Sequence, residues 1–296
     1  MLSRLELLSP VFAGALLLSL GGCRDAADDD ALAVCEAGGE EAMLVVSALR
    51  WSRVDEDGVT KGFDLDDEIS SGSGSSGCGV PDYVDEDGAE GIDNVFGSLV
   101  PALELTEFSA VEGLIAQSIA SGELLITFEL SGLDADLDEV VDDECLDVSL
   151  ARGSGAPLLG TDGTLLPGQT IDRDLDMEPV SVQGVTLDGG TLIASPVDVD
   201  LPIQVFDREM VFELKDGAIR LDMHEDGTYS GYFSGGVDVE YVLSIAAQDG
   251  VSDDLFDLME ALLDGVSDLN PDEDGDCQFI SIALEFEAVP AYFYGD

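Results

Sequence analysis

Met210-Val-Phe-Glu-Leu-Lys-Asp216-Gly217-Ala-Ile-Arg-Leu-Asp-Met223 carries the clearest strand pattern of the chain. Apolar side chains alternate on both sides of Asp216-Gly217, the period of a half-buried strand. Asp-Gly is a two-residue turn signal. Together they predict a hairpin with Lys215 opposite Ala218, Leu214 opposite Ile219, Phe212 opposite Leu221 and Met210 opposite Met223. Glu213 would then meet Arg220 on the other face, so turn and pattern specify one register. Asp226-Gly227 predicts the turn into the next strand.

The same period recurs elsewhere. Val197, Val199, Leu201, Ile203 and Val205 alternate with polar residues, and Pro202 argues for an edge strand or a bulge there. Leu124, Ile126, Phe128 and Leu130 share one face, as do Ile280, Ile282, Leu284 and Phe286. Met43–Leu49 is the first apolar run after the N-terminal region. Helical spacing occurs twice. One segment places Phe108, Val111, Leu114, Ile115 and Ile119 on a face and stops at Gly122. The other is capped by Ser252, presents Leu255, Leu258, Met259 and Leu262, and ends at Gly265. The expected fold is mainly β: an antiparallel β-sandwich or a β-rich α+β module with two short helices. No fixed-period repeat is visible.

The chain has 296 residues, 10 Lys+Arg and 65 Asp+Glu, for a formal charge of −55. That excess excludes a nucleic-acid partner, because phosphate binding by counterion release needs a cationic face. The chain is nonetheless a folding sequence: 45% of residues are hydrophobic and 12 Phe and 6 Tyr supply core material. Self-repulsion of this size opposes a compact state in dilute buffer and is screened as the Debye length falls to ~8 Å at physiological salt.

Residues 1–22 read as an export signal. Arg4 gives a thin positive n-region, with Glu6 as a departure, and Leu7–Leu20 is too short to span a bilayer comfortably. It ends in Leu20-Gly21-Gly22-Cys23, which resembles the lipobox of bacterial lipoproteins, where Cys23 would be lipidated. That resemblance implies membrane association through acyl chains. Arg24 rather than Asp after the cysteine implies sorting to the outer membrane, facing the periplasm or the surface. Residues 23–41 are acidic and small, a flexible tether, and residues 42–296 form the extracytoplasmic domain. Cys35, Cys78, Cys145 and Cys277 are disulfide candidates in an exported chain, with three possible connectivities.

Catalytic residue sets are sparse. The single histidine, His224, lies on the polar face beside a predicted turn, and no Gly-x-Ser-x-Gly elbow occurs. Calcium is better motivated, because hard cations take several oxygen ligands from closely spaced acids around a Gly. Asp55–Gly58, Asp82–Gly88 with Gly91–Asn94, and Asp272–Asp276 have that composition. None is an EF-hand, and Asp-Gly occurs nine times, mostly as turns. The candidate ligands are Asp64, Asp66, Asp82, Asp85, Asp87, Asp93 and Asn94, because many carboxylates held together repel unless something neutralises them. Ser70–Gly77 is a Ser/Gly run inside this loop-rich region.

Several features are similar to acidic lipoproteins of unknown function from myxobacteria and their relatives. They are the lipobox, the Asp-rich tether, Gly62-Phe-Asp-Leu-Asp66, Gly91-Ile-Asp-Asn94 and Phe286-Glu-Ala-Val-Pro-Ala291. The resemblance implies location and one exported module, and no activity. The expected function is a lipid-anchored, non-enzymatic structural or binding module of the cell envelope, calcium-stabilised, whose partner is an envelope protein or glycan. The alternatives are an extracellular carbohydrate-active hydrolase using paired carboxylates, and a carrier of hydrophobic ligands between two sheets.

Overall fold

The computed structural model describes residues 39–73, 76–105, 110–133, 142–205, 208–248, 253–272 and 274–294. The chain divides into two units, Met1–Ala31 and Leu32–Asp296. The predicted export signal (residues 1–22), Cys23 and Cys35 lie outside the described residues. Twelve strands are described in the second unit. In chain order they are β1 (Glu40–Trp51), β2 (Tyr83–Val84), β3 (Glu90–Ile92), β4 (Leu125–Leu133), β5 (Asp143–Ser154) and β6 (Gln169–Arg173). They continue with β7 (Val180–Asp188), β8 (Thr191–Val205), β9 (Arg208–Met223), β10 (Tyr229–Asp238), β11 (Leu269–Pro271) and β12 (Cys277–Phe293). The helices are α1 (Val95–Leu103), α2 (Val111–Ser121), α3 (Val239–Gln248) and α4 (Asp253–Asp264).

Eight antiparallel strands run β1–β4–β5–β7–β8–β9–β10–β12 and return to β1. The ladder closes on itself, so the expected sandwich is corrected to a barrel. Closure covers most sheet edges, the usual liability of antiparallel sheets. The seam is thinnest between β7 and β8, paired only at Leu187↔Leu192 and Asp188↔Thr191. Beyond that point β8 pairs with β9 alone among the described residues, and Pro202 sits there opposite Val211. β6 joins the last residues of β5 to those of β12.

The predicted hairpin is the main correction. Residues 208–223 form one strand, β9, and Asp216-Gly217 is a bulge within it. Against β8 the register runs Val197↔Gly217 and then Val199↔Leu214; against β10 it runs Ser234↔Ala218 and then Gly236↔Lys215. A one-residue bulge switches the parity of a strand just as a two-residue turn does. Buried Leu214 before it and buried Ile219, Leu221 and Met223 after it therefore still face one core. Asp216 takes the left-handed conformation, φ 49°. At Gly217 a Cβ would lie 2.4 Å from the Ser234 carbonyl oxygen and 3.0 Å from that of Val197. β8 and β10 pair with both halves of β9, and those ladders outweigh a local turn. The Asp226-Gly227 turn forms as expected, with His224 N–H donating to Thr228 O at 3.0 Å.

The other strand readings hold. Leu124, Ile126, Phe128 and Leu130 are buried, as are Ile280, Ile282, Leu284 and Phe286. Phe128, Phe233 and Phe286, from β4, β10 and β12, meet across the barrel interior with ring centroids 4.8–5.8 Å apart. An eight-stranded barrel is just wide enough to be filled by its own side chains. Both predicted helices form: α2 ends at Gly122 (φ 85°), and α4 ends before Gly265. Phe108 and Ser252 lie outside the described residues. α1 and α3 are additional, so four helices are described where two were expected. Pro101 inside α1 and the short apolar runs around both helices concealed them. α2 packs on β1 and β8, four strands apart around the ring, so it crosses one mouth of the barrel. Ile115 and Ile119 are its buried face. β1 begins at Glu40, inside the expected tether, because Glu40 already pairs with Leu133 of β4.

Candidate metal centre

The chain leaves β1 at Trp51 and does not re-enter the barrel until β4. The intervening loops fold against the start of β12. Phe63 and Asp93 form an antiparallel bridge, with Asp93 N–H donating to Phe63 O at 2.9 Å. This pairing brings Gly62–Asp66 beside Gly91–Asn94, two segments 25 or more residues apart in sequence. One carboxylate oxygen from each of Asp64, Asp66 and Asp93 then lies within 4.8 Å of the others. Asp64 is exposed, Asp66 half-buried and Asp93 buried at 1% exposure, so the group opens outward from a closed floor.

Each acid is held by backbone donors. Asp93 Oδ2 accepts from Leu65 N at 2.7 Å, and Asp66 Oδ1 accepts from Glu68 N at 2.9 Å. Asp82 Oδ2 accepts from Ser70 N at 2.5 Å while its own N–H donates to Ser70 O, closing the base of the Ser/Gly run. The Cys78–Cys277 disulfide ties that limb to the first residue of β12.

Asp268 completes the electrostatic group, and sequence reasoning missed it. Its carboxylate accepts from Ser281 N at 2.8 Å and from Ser281 Oγ at 2.5 Å, at 2% exposure. Ser281 Oγ in turn accepts from Val95 N, the first residue of α1, at 2.8 Å. Nothing local in the sequence links Asp268 to a serine 13 residues later between two core isoleucines. Only the β11–β12 return brings them together.

Burial, with the negative charges of Asp268, Asp66 and Asp82, pushes Asp93 up to about 8. Burial and the Asp82 charge push Asp268 up to about 7, against the pull of the Ser281 hydrogen bonds. Asp64, Asp66 and Asp82 are also raised, each by burial first and by neighbouring acids after it. The charges acting most strongly on all five are other carboxylates. Such a group favours protons or a hard cation.

The remaining predicted ligands stand elsewhere. Asp85 spends Oδ1 on the N–H groups of Asp87 and Ala89, at 2.9 and 2.7 Å, in its own turn, and Asp87 is outside the converging group. Asn94 is a structural knot with no exposure. Its Oδ1 caps α1 by accepting from Gly97 N at 3.1 Å and also accepts from Ala283 N at 3.2 Å; Nδ2 donates to Thr60 Oγ1 at 2.7 Å. Asp55 and Asp272 likewise accept from the backbone of their own turns. Cys145 is disulfide-bonded, which accounts for a third candidate cysteine. His224 Nε2 lies 2.8 Å from Ser230 Oγ at the exposed turn.

Compared with known proteins, the chain matches no family model, no curated protein and no solved structure. No helix among the described residues is long and apolar enough to cross a membrane.

Proposed function

We propose that the protein is an exported lipoprotein of the cell envelope, anchored through Cys23, whose barrel is a non-enzymatic binding scaffold with Asp64, Asp66 and Asp93 as ligands of a calcium ion. The observation that carries the reading is the convergence of three carboxylates beside buried Asp268 and half-buried Asp82, with no basic side chain among the charges acting most strongly on them. Carboxylate oxygens alone, without sulfur or imidazole, suit Ca²⁺ rather than a transition metal. Calcium there would lock the 52–94 loops onto β12 and α1. The barrel's filled interior supports a scaffold over the carrier of hydrophobic ligands. The resemblance to acidic envelope lipoproteins supports the location.

Two measurements test it. Fatty-acid labelling of the full-length chain in a Gram-negative host is expected to be lost in Cys23→Ser. Calcium titration is expected to give one site per chain that disappears in Asp66→Asn and Asp93→Asn. Unchanged labelling of Cys23→Ser, or no calcium uptake by the wild type, would contradict the corresponding half.

A further inference from the structure

The barrel wall parts at one place. β7 and β8 pair only at Leu187↔Leu192 and Asp188↔Thr191, beside the turn that joins them. Past that point each strand carries an extra residue relative to its other neighbour. Against β5 the register of β7 runs Leu146↔Val185 and then Val148↔Val182, with Gly184 at φ 71°. Against β9 that of β8 runs Ala194↔Ile219 and then Val197↔Gly217. Such bulges bend a strand and increase its twist, and here the two strands separate around a groove of about 650 Å³. Val182 and Val185, both buried, form its floor, and Gln183, Thr186 and Ile193 stand exposed along its walls. Among the described residues, no strand pairs with Val182–Thr186 on the side facing β8, or with Ile193–Ser195 on the side facing β7. Pro196, which has no N–H to offer, ends that stretch of the β8 edge.

We propose that this groove is a docking slot for an extended, basic segment of a partner protein, which enters as a strand between β7 and β8. The proposal gives the binding scaffold a partner and rests on that reading only for its location. Two facing rows of unpaired amides and carbonyls suit an added strand, and their spacing favours a peptide over a glycan. Val182–Thr186 spans roughly 17 Å in extended form, so the slot takes a short segment and ends at the β7–β8 turn. Side chains of a strand alternate between its faces. Apolar ones would meet Val182 and Val185, and the others would point outward beside Ile193. The outward field is negative. Asp188 lines the groove, and Asp198 and Asp200 stand exposed further along β8. Arg220, the cation of the wall, is already paired with Asp222 at 2.9 Å. Charge complementarity therefore selects Lys or Arg at the outward positions, and it disfavours a second copy of this chain, which carries −55. Exposed edges are commonly guarded by lysines, and neither β7 nor β8 contains one.

The experiment is titration of the full-length chain, at about 0.15 M salt, with the peptide Lys-Val-Lys-Val-Lys-Val-Lys and two controls. One control carries Glu in place of Lys. The other keeps the side chains and charge but has its backbone nitrogens methylated, which removes the donors a strand needs. Saturable one-to-one binding of the first peptide is expected, with added hydrogen-exchange protection at residues 182–186 and 193–195. The Glu peptide should not bind, and the methylated one should bind at least about tenfold more weakly. Ile193→Lys should weaken binding about tenfold. Leu158→Lys, the same charge change at an exposed site outside the groove, should weaken it by no more than about twofold. No binding of the first peptide, equal binding of the methylated one, equal losses in the two Lys variants, or protection confined to other strands would each overturn the proposal. Cys23 labelling and calcium uptake are read independently, so if those hold while the peptide fails, the slot alone falls.

Discussion

Protonation of two buried carboxyls couples the stability of the metal-free protein to pH. An unfolded carboxyl titrates near 4, whereas Asp93 titrates at about 8 and Asp268 at about 7 in the fold. Between those values the folded chain binds more protons than the unfolded one, so stability falls as pH rises. With chelator present, Tm is expected to decline from pH 5 to pH 8, each 1 kcal/mol lowering it by about 2–4 °C. Asp162, Asp226 and Asp272, held low by turn hydrogen bonds, act in the opposite sense and only in acid. Asp93→Asn removes one charge while keeping an acceptor for Leu65 N, so it should raise the metal-free Tm at pH 8. A Tm that rises toward pH 8 in chelator would contradict these assignments. Asn94→Ala should cost about 2–4 kcal/mol in urea unfolding, the sum of a lost helix cap and a stranded Ala283 N–H. Asn94 shows where single-residue reading fails. Its position beside Asp93 suggested a ligand, and only the approach of β12 reveals that its oxygen is already used.

Elements were legible where apolar alternation ran long enough to outvote local signals. The β4 and β12 faces and the α2 and α4 spacings are visible in sequence because each buries one continuous face. β9 was misread for a physical reason: Asp-Gly serves a bulge as well as a turn, and both flip the parity of the apolar face. Choosing between them needs β8 and β10, which lie on either side. The bulge makes a checkable claim. Gly217→Ala drives a methyl into the Ser234 and Val197 carbonyls and should cost about 1–3 kcal/mol in urea unfolding. Breaking Cys78–Cys277 with paired serines, across a separation of 199 residues, should cost about 2–5 kcal/mol. It should also weaken calcium uptake, because that link holds the Asp82 limb against β12.

At the level of the whole molecule, closure of the barrel and excess charge pull in opposite directions. The ring buries its apolar faces and pairs most of its strands on both sides, but a charge of −55 works against compactness. The sequence made the excess visible and named the loops that converge, since Asp64, Asp66 and Asp93 were among the candidates. It could not show that Asp85, Asp87 and Asn94 fall away or that Asp268 arrives, because those facts depend on pairings between segments far apart in the chain. The most direct test is the Tm of the full-length protein at low ionic strength and pH 7.5, with micromolar calcium and with chelator, salt held constant. A saturable rise with calcium is expected in the wild type and none in Asp93→Asn. Identical transitions of the wild type in calcium and in chelator would contradict it.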